Sequence, residues 1–332
     1  MGKNFGLLWP WLKPRRPGWA FAALLSLTGL GVSGPTLAQT SDPLTQAVEK
    51  RYFFTLVNDR CHLLNAPATT ALKAGFVQAR NAAIRSGRDM SALAPALDQA
   101  RAAAAATDCR APQIIAEMGN AQSALRTFVT QMRLDLPGSR AGWSGTRADQ
   151  DVSQWRLVQY QNTAAADLAF GLYGTVAHNS LSVMAHFADG AQPYAARVLV
   201  RDPDHMASGL IDTATPGIMA HMPWGFGDMT SLSFMAYGQS DVTAMLQPDM
   251  KVNFAGFTPG GRYVGAQAPV DAQRFDFPKA AILAMARLDP REDVVIEFEC
   301  PDGPRYARFE IGDVITGVAY ISLPSPYTHS VG

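Results

Sequence analysis

Residues 112–139, PQIIAEMGNAQSALRTFVTQMRLDLPGS, contain the point at which the chain changes texture. Met118, Ala121, Leu125, Phe128 and Met132 step by three, four, three and four, the spacing of one apolar face of a helix that has to be buried against neighbours. Leu136-Pro137-Gly138-Ser139 then breaks the pattern, because Pro and Gly together favour a turn. Helical periodicity lies before this point and strand-like runs lie after it. The expected fold is therefore α+β: an N-terminal antiparallel helical bundle followed by a mostly antiparallel β domain with at least one packed helix.

Upstream, three more helices precede the quoted stretch. Asp42-Pro43 pairs an N-cap acceptor with Pro at the first helical position, and Leu44, Val48, Tyr52 and Leu56 recur at about one turn, predicting a helix that ends near Asn58. A second is expected from about Pro67, with Leu72, Phe76, Ala79 and Ala83 on one face, closing at Ser86-Gly87 where Gly can turn left-handed. A third runs from about Met90 through Leu93, Leu97, Ala100 and Ala104, and the quoted helix starts near Pro112. Short connections favour antiparallel neighbours. On that arrangement the first helix ends at Cys61 and the third returns to finish at Cys109, so both thiols lie at the same end. Of the three cysteines after residue 38, the expected disulfide joins Cys61 to Cys109 and leaves Cys300 unpaired.

Downstream, residues 138–153 read as a linker, and from Gln154 the chain carries short runs (WRLVQY, LAFGLYG, SLSVMAHF, YAARVLV, SLSFMAYG, MKVNFAGF, VVIEFE, RYARFEI) separated by Gly, Pro and Asp. That spacing predicts an antiparallel sheet or sandwich over 154–324, with 325–332 as a tail. Pro278 to Leu288 interrupts it with a helical pattern. Two stretches, beginning at His186 and Glu297, share Phe, Asp-Gly, Pro, Tyr-Ala, Arg and a terminal Asp. Each predicts a hairpin around an Asp-Gly turn, which raises the question of an internal duplication.

Residues 1–38 read as a signal peptide. Lys3, Lys13, Arg15 and Arg16 precede an apolar stretch from Gly18 to Val32, and Thr36 and Ala38 place small residues before a cleavage point at Gln39. The apolar stretch is short of the ~20 residues a relaxed membrane span requires, so membrane contact is expected only before cleavage. The product is expected to be exported, periplasmic or extracellular, where disulfides persist. The helical bundle domain then spans 39–137.

The formal charge of zero conceals a division. Residues 39–140 hold 12 basic and 8 acidic side chains, a net of +4, and residues 141–332 hold 12 and 20, a net of −8. Opposite signs favour docking of one half on the other. No basic stripe with interleaved aromatics is present, which excludes nucleic acid as the expected partner.

Candidate chemistry is sparse. Asp202, Asp204 and His205, with His221 to complete a shell, are possible divalent-metal ligands, although Asp-Pro-Asp is also ordinary turn chemistry; Asp212 and Asp228 lie further along the same stretch. Met219, Met222, Trp224, Phe226, Met229 and Met235 form a candidate apolar ligand groove, because Met side chains adapt to irregular surfaces. Met206, Met245 and Met250 flank them. There is no G-x-S-x-G elbow. Cys300 becomes a thiol nucleophile only if His186 is its neighbour, and Glu297 with Glu299 a glycosidase pair only if both face a sugar rather than solvent. Arg80, Arg85, Arg88, Arg101, Arg110, Arg126 and Arg133 offer forks for envelope phosphates. No catalytic residue or cofactor is assigned. The expected function is a non-enzymatic exported envelope protein that binds a partner protein or an apolar ligand. The alternatives are a periplasmic hydrolase of envelope glycans or esters, built on His186, His205 or His221 with distant Asp residues, and a purely structural envelope component.

Overall fold

The N-termini of the first three helices are each closed by a side chain that accepts backbone N–H groups. In the computed structural model, which describes residues 42–148, 152–206, 231–246 and 269–326, the Asp42 carboxylate takes Leu44 N and Thr45 N at the start of α1 (Pro43–Cys61). Asn65 caps α2 (Ala66–Arg85) and Asp89 caps α3 (Met90–Ala106) in the same way. The fourth helix, α4 (Pro112–Thr130), has no side-chain cap. The expected signal peptide lies outside the described residues.

Helix α1 packs on both α2 and α3, and α2 also packs on α4. Val48, Ala79, Ala83 and Leu93 form one small core, and Phe54, Leu64, Ala68, Leu72 and Met118 another. Helices α1 to α4 thus pack together, α1 against α2 and α3, and α4 against α2. Along the α4 stripe Met118 and Phe128 are buried and Ala121, Leu125 and Met132 half-buried, with Met118 in the core shared with α1 and α2 and the Phe128 ring 5.4 Å from that of Tyr320. Cys61 and Cys109 form the disulfide, with Cα atoms 5.5 Å apart.

Two antiparallel sheets follow. The first has seven strands: β1 (Arg133–Leu136), β2 (Trp143–Thr146), β3 (Gln154–Asn162), β4 (Ala166–Gly174), β5 (Asn179–Phe187), then β9 (Val270–Phe277) and β8 (Gly238–Ala244). The second has four: β11 (Arg305–Glu310), β10 (Asp293–Glu299), β6 (Ala195–Arg201) and β7 (Ser231–Met235). Trp143–Thr146, inside the stretch read as a linker, pairs with strands on both sides. Of the two expected hairpins, β10 and β11 form one. The other is corrected: β5 and β6 belong to different sheets, so 188–194 is a crossing between sheets and the two stretches do not share a geometry. The expected strand at MKVNFAGF lies outside the described residues.

The sheets face each other across Phe170, Val183, Phe275, Val198, Ile296, Phe298 and Phe309. Alternation along the strands puts one residue in two into this layer. Phe298 meets Phe187 and Phe275 edge-on, at 5.4 and 6.0 Å between ring centres. A polar clamp joins the layers as well. The Gln159 amide accepts Glu310 N at 2.8 Å and donates to Glu310 O at 3.1 Å, and Trp143 Nε1 donates to the same carbonyl at 3.0 Å.

Helix α5 (Ala280–Met285) packs on β6 and β7, and is shorter than the expected span from Pro278 to Leu288. Helix α6 (Val314–Ile321) joins the two parts of the chain, since it packs on α2 and on β1, β2 and β3. It approaches the sheet over glycine: a Cβ on Gly317 would fall 2.5 Å from Leu157 Cδ1, and one on Gly145 3.0 Å from the Tyr320 ring. Helices and sheets belong to one compact unit that starts at Ser41. The ionic contact across this seam is buried. Arg85 forks onto both carboxylate oxygens of Asp313 at 3.2 and 3.1 Å, and Asn81 Nδ2 donates to the same group at 2.8 Å.

Candidate functional site

The chain changes sheet at Ala236-Tyr237, between β7 and β8. Ala236 N donates to Ala196 O at 2.9 Å in one sheet, and Tyr237 N donates to Asp276 O at 2.9 Å in the other. The Gln239 amide reaches back to Pro193 O at 3.1 Å, which brings the start of β6 against the crossing. The segments that meet here carry three large side chains with little cover: Tyr194, Met235 and Tyr237 are 61%, 53% and 69% exposed. Tyr and Met are also the side chains that interface cores favour, as they bring large contact area with few rotors or with easy adaptation.

The corner continues onto the outer face of the four-stranded sheet. Tyr306, Glu297, Arg197 and Met235 are successive cross-strand neighbours on that face. Their strand neighbours Ala307, Ile296, Phe298, Ala196, Val198 and Phe234 point to the core. Arg197 Nη2 donates to Glu297 at 2.7 Å and lies 4.0 Å from Glu299. The bond to Glu297 lifts the arginine above its ordinary range, and burial does the same to the Tyr306 hydroxyl. Glu297 and Glu299 therefore share one arginine across a sheet face. They are partners of a cation, not of each other.

Met235 is the single residue of the expected apolar groove that the structure describes; Met219, Met222, Trp224, Phe226 and Met229 lie outside the described residues. The same holds for His221, Asp212 and Asp228. Tyr194 and Tyr237 escaped sequence reasoning. Tyr237 sits in a strand-like run whose switch between sheets has no local signature, and Tyr194 follows a turn whose far side is fixed only by tertiary pairing.

A second polar feature sits at the end of β6. Asp202 Oδ1 accepts Asp204 N at 2.9 Å, and Asp202 Oδ2 meets His205 Nδ1 at 2.7 Å. The Asp204 amide and the imidazole together hold the Asp202 carboxyl below its usual range. Buried Arg201 braces this turn, forking onto Glu292 at 2.8 and 2.7 Å and donating to Met206 O. Arg287 forks onto Asp204, which lowers that carboxyl too. Asp202, Asp204 and His205 thus do lie together, but each carboxylate is turned onto another protein group. Among the described residues no three His, Cys, Asp or Glu side chains are grouped to hold a metal.

The remaining sequence candidates separate. His186 Nδ1 pairs with Asp271 O at 2.8 Å, and Cys300 is buried at the end of a strand in the opposite sheet, where burial raises its thiol. Arg85, Arg88, Arg101 and Arg133 pair with Asp313, Asp42, Asp98 and Asp135, and Arg80 bonds Asn81, so most of the expected arginine forks are spent within the chain. No described helix is long and apolar enough to cross a membrane.

Comparison of the chain with protein-family models, with curated proteins and with solved structures gave no match.

Proposed function

We propose that the chain is an exported envelope protein that acts by binding a partner protein at the sheet-switch corner, without catalysis. The observation that carries this reading is the exposure of Tyr194, Met235 and Tyr237, each more than half exposed, on segments that the backbone bonds bring together at the sheet switch. Export is supported by the Cys61–Cys109 bridge, since structural disulfides belong to oxidising compartments. The binding reading is also supported by the pairing of charged groups at this face, where Arg197 is held by Glu297 and the neighbouring Met235 is left exposed.

The test is photo-crosslinking in intact cells with a photoreactive residue at Tyr237, and at Val176 as an exposed control on the turn after β4. The expected result is one dominant crosslinked species from position 237 alone, in the periplasmic fraction. Equal yields from both positions, or a cytoplasmic product, would remove the reading.

One observation favours a hydrolase as the second reading. Asp202 orients His205 through Nδ1, which leaves Nε2 as the working nitrogen of a ring whose side chain is 57% exposed. A carboxylate-held imidazole is the orienting half of a general base. Here a His205→Asn variant is expected to abolish hydrolysis of an envelope ester or glycan under the hydrolase reading and to leave partner capture unchanged under the binding reading.

A further inference from the structure

Helix α3 is fastened chiefly at its two ends. Of its 17 residues, Leu93, Ala96, Ala100 and Ala104 are buried, a stripe in which three of the four side chains are alanine. Alanine methyls withdraw little apolar surface from water, so the length of the helix is weakly held. At its start, Leu93 joins Val48, Ala79 and Ala83 in a small core. At its far end, the Cys61–Cys109 bridge ties the turn after α3 to the last residue of α1, and Arg60 donates to Ala105 O at 2.7 Å and to Thr107 O. Midway, the Arg101 guanidinium lies 6.0 Å from the Tyr52 ring centre and 3.4 Å from its hydroxyl. These arginine contacts are exposed, where each contributes little net stability.

The elements around α3 are held independently of it. Helix α1 shares the core of Phe54, Leu64, Ala68, Leu72 and Met118 with α2 and α4. Helix α2 packs on α6, with Asn81 and Arg85 bonded to buried Asp313. We propose that the Cys61–Cys109 bridge is a redox switch for α3: the oxidised chain docks the helix on α1, and the reduced chain releases it while α1, α2, α4 and both sheets stay folded. Oxidation forms the bond between the two sulfur atoms; the thiols give up two protons and two electrons, which convert a disulfide-bearing oxidant to two thiols, and reduction reverses the exchange. The bridge spans a separation of 48 residues that contains α2 and α3. Once it opens, the segment between α2 and α4 is tied by its ends and by the Leu93 contact. A helix of this length is marginal in water without packing, so α3 becomes a locally opening unit. Release uncovers the side of α1 that carries Tyr52. The switch concerns the helical part and stands whether or not a partner binds at the corner.

Hydrogen exchange of the purified full chain, read by mass spectrometry, tests this with the oxidised parent, the parent reduced by a phosphine, and the Cys61→Ser, Cys109→Ser double variant without reductant. The α3 amides from Ala96 to Ala106 are expected to exchange at least about tenfold faster in the reduced parent and in the double variant than in the oxidised parent, while those of α2 and β10 stay protected. Trypsin gives a second reading, because Arg101 is the one basic residue in α3. Cleavage after Arg101 is expected in the reduced parent and not in the oxidised one. An α3 that is equally protected, or equally cleaved, with the bridge open and closed overturns the proposal. Exchange of α2 and β10 together with α3 on reduction also overturns it, since the bridge would then hold the whole fold and not one helix.

Discussion

Asp313 has no exposed surface, and the fold keeps its carboxylate between Arg85 and Asn81 at the helix–sheet seam. Burial raises its pKa, with Arg85 opposing that rise. A folded-state pKa above the unfolded value means that the folded chain binds the proton more tightly, so this contribution to stability is present at low pH and is lost as pH rises through the folded value. The stability of the parent relative to Asp313→Asn is therefore expected to improve as pH falls from 7 toward 4, measured by urea unfolding at each pH. A difference that is flat, or that moves the other way, contradicts the assignment. Asp293, raised by burial beside Arg140, follows the same sign. None of this was visible in the sequence. Asp313 read as the Asp after a Gly at the end of a strand, and only the seam reveals that its counter-ion lies 228 residues away. Asp202 and His205 were nearer to legible, because a turn of three residues brings them together by itself.

At the scale of elements, the helices up to Thr130 could be read because their signals are local: Asp42 before Pro43, Gly87 after Arg85, Pro at the start of α4. Strands β1 and β2 could not, since Trp143-Ser144-Gly145-Thr146 looks like a linker until β3 pairs with it and α6 packs over Gly145. Helix α6 was concealed for the opposite reason. VITGVAYI is rich in β-branched and aromatic residues, and burial of Val314, Thr316, Gly317 and Tyr320 outweighs a propensity that favours strand. Gly317→Ala is accordingly expected to destabilise the chain by about 1–3 kcal/mol through overpacking on Leu157. At Gly171 the φ of 152° and a Cβ position 2.0 Å from Leu157 O leave no room at all. Gly171→Ala is expected to cost about 3 kcal/mol or more from backbone strain and displacement together. Denaturant midpoints compare the two, and a Gly171→Ala midpoint equal to the parent's would refute the close approach of β3 to β4. The disulfide closes a separation of 48 residues. Its removal by Cys61→Ser with Cys109→Ser is expected to lower stability by about 4 kcal/mol on the chain-entropy model, read as a lower melting temperature than the parent's under oxidising conditions.

For the whole molecule, the opposite charges of the two halves correspond to a built contact. The basic helical part supplies Arg85 and the acidic β part supplies Asp313, while α6 packs on both. One cooperative transition is expected, with far-ultraviolet ellipticity and Trp fluorescence melting together; two separated transitions would show that the halves fold independently. What such an object offers to the cell is its surface, and at the sheet switch that surface carries the exposed rings of Tyr194 and Tyr237. The decisive measurement is the affinity for the protein crosslinked at position 237, compared between the parent and a Tyr194→Asp, Tyr237→Asp double variant. At least a tenfold loss, about 1.4 kcal/mol, is expected, with an unchanged melting temperature. An affinity that survives both substitutions would contradict it.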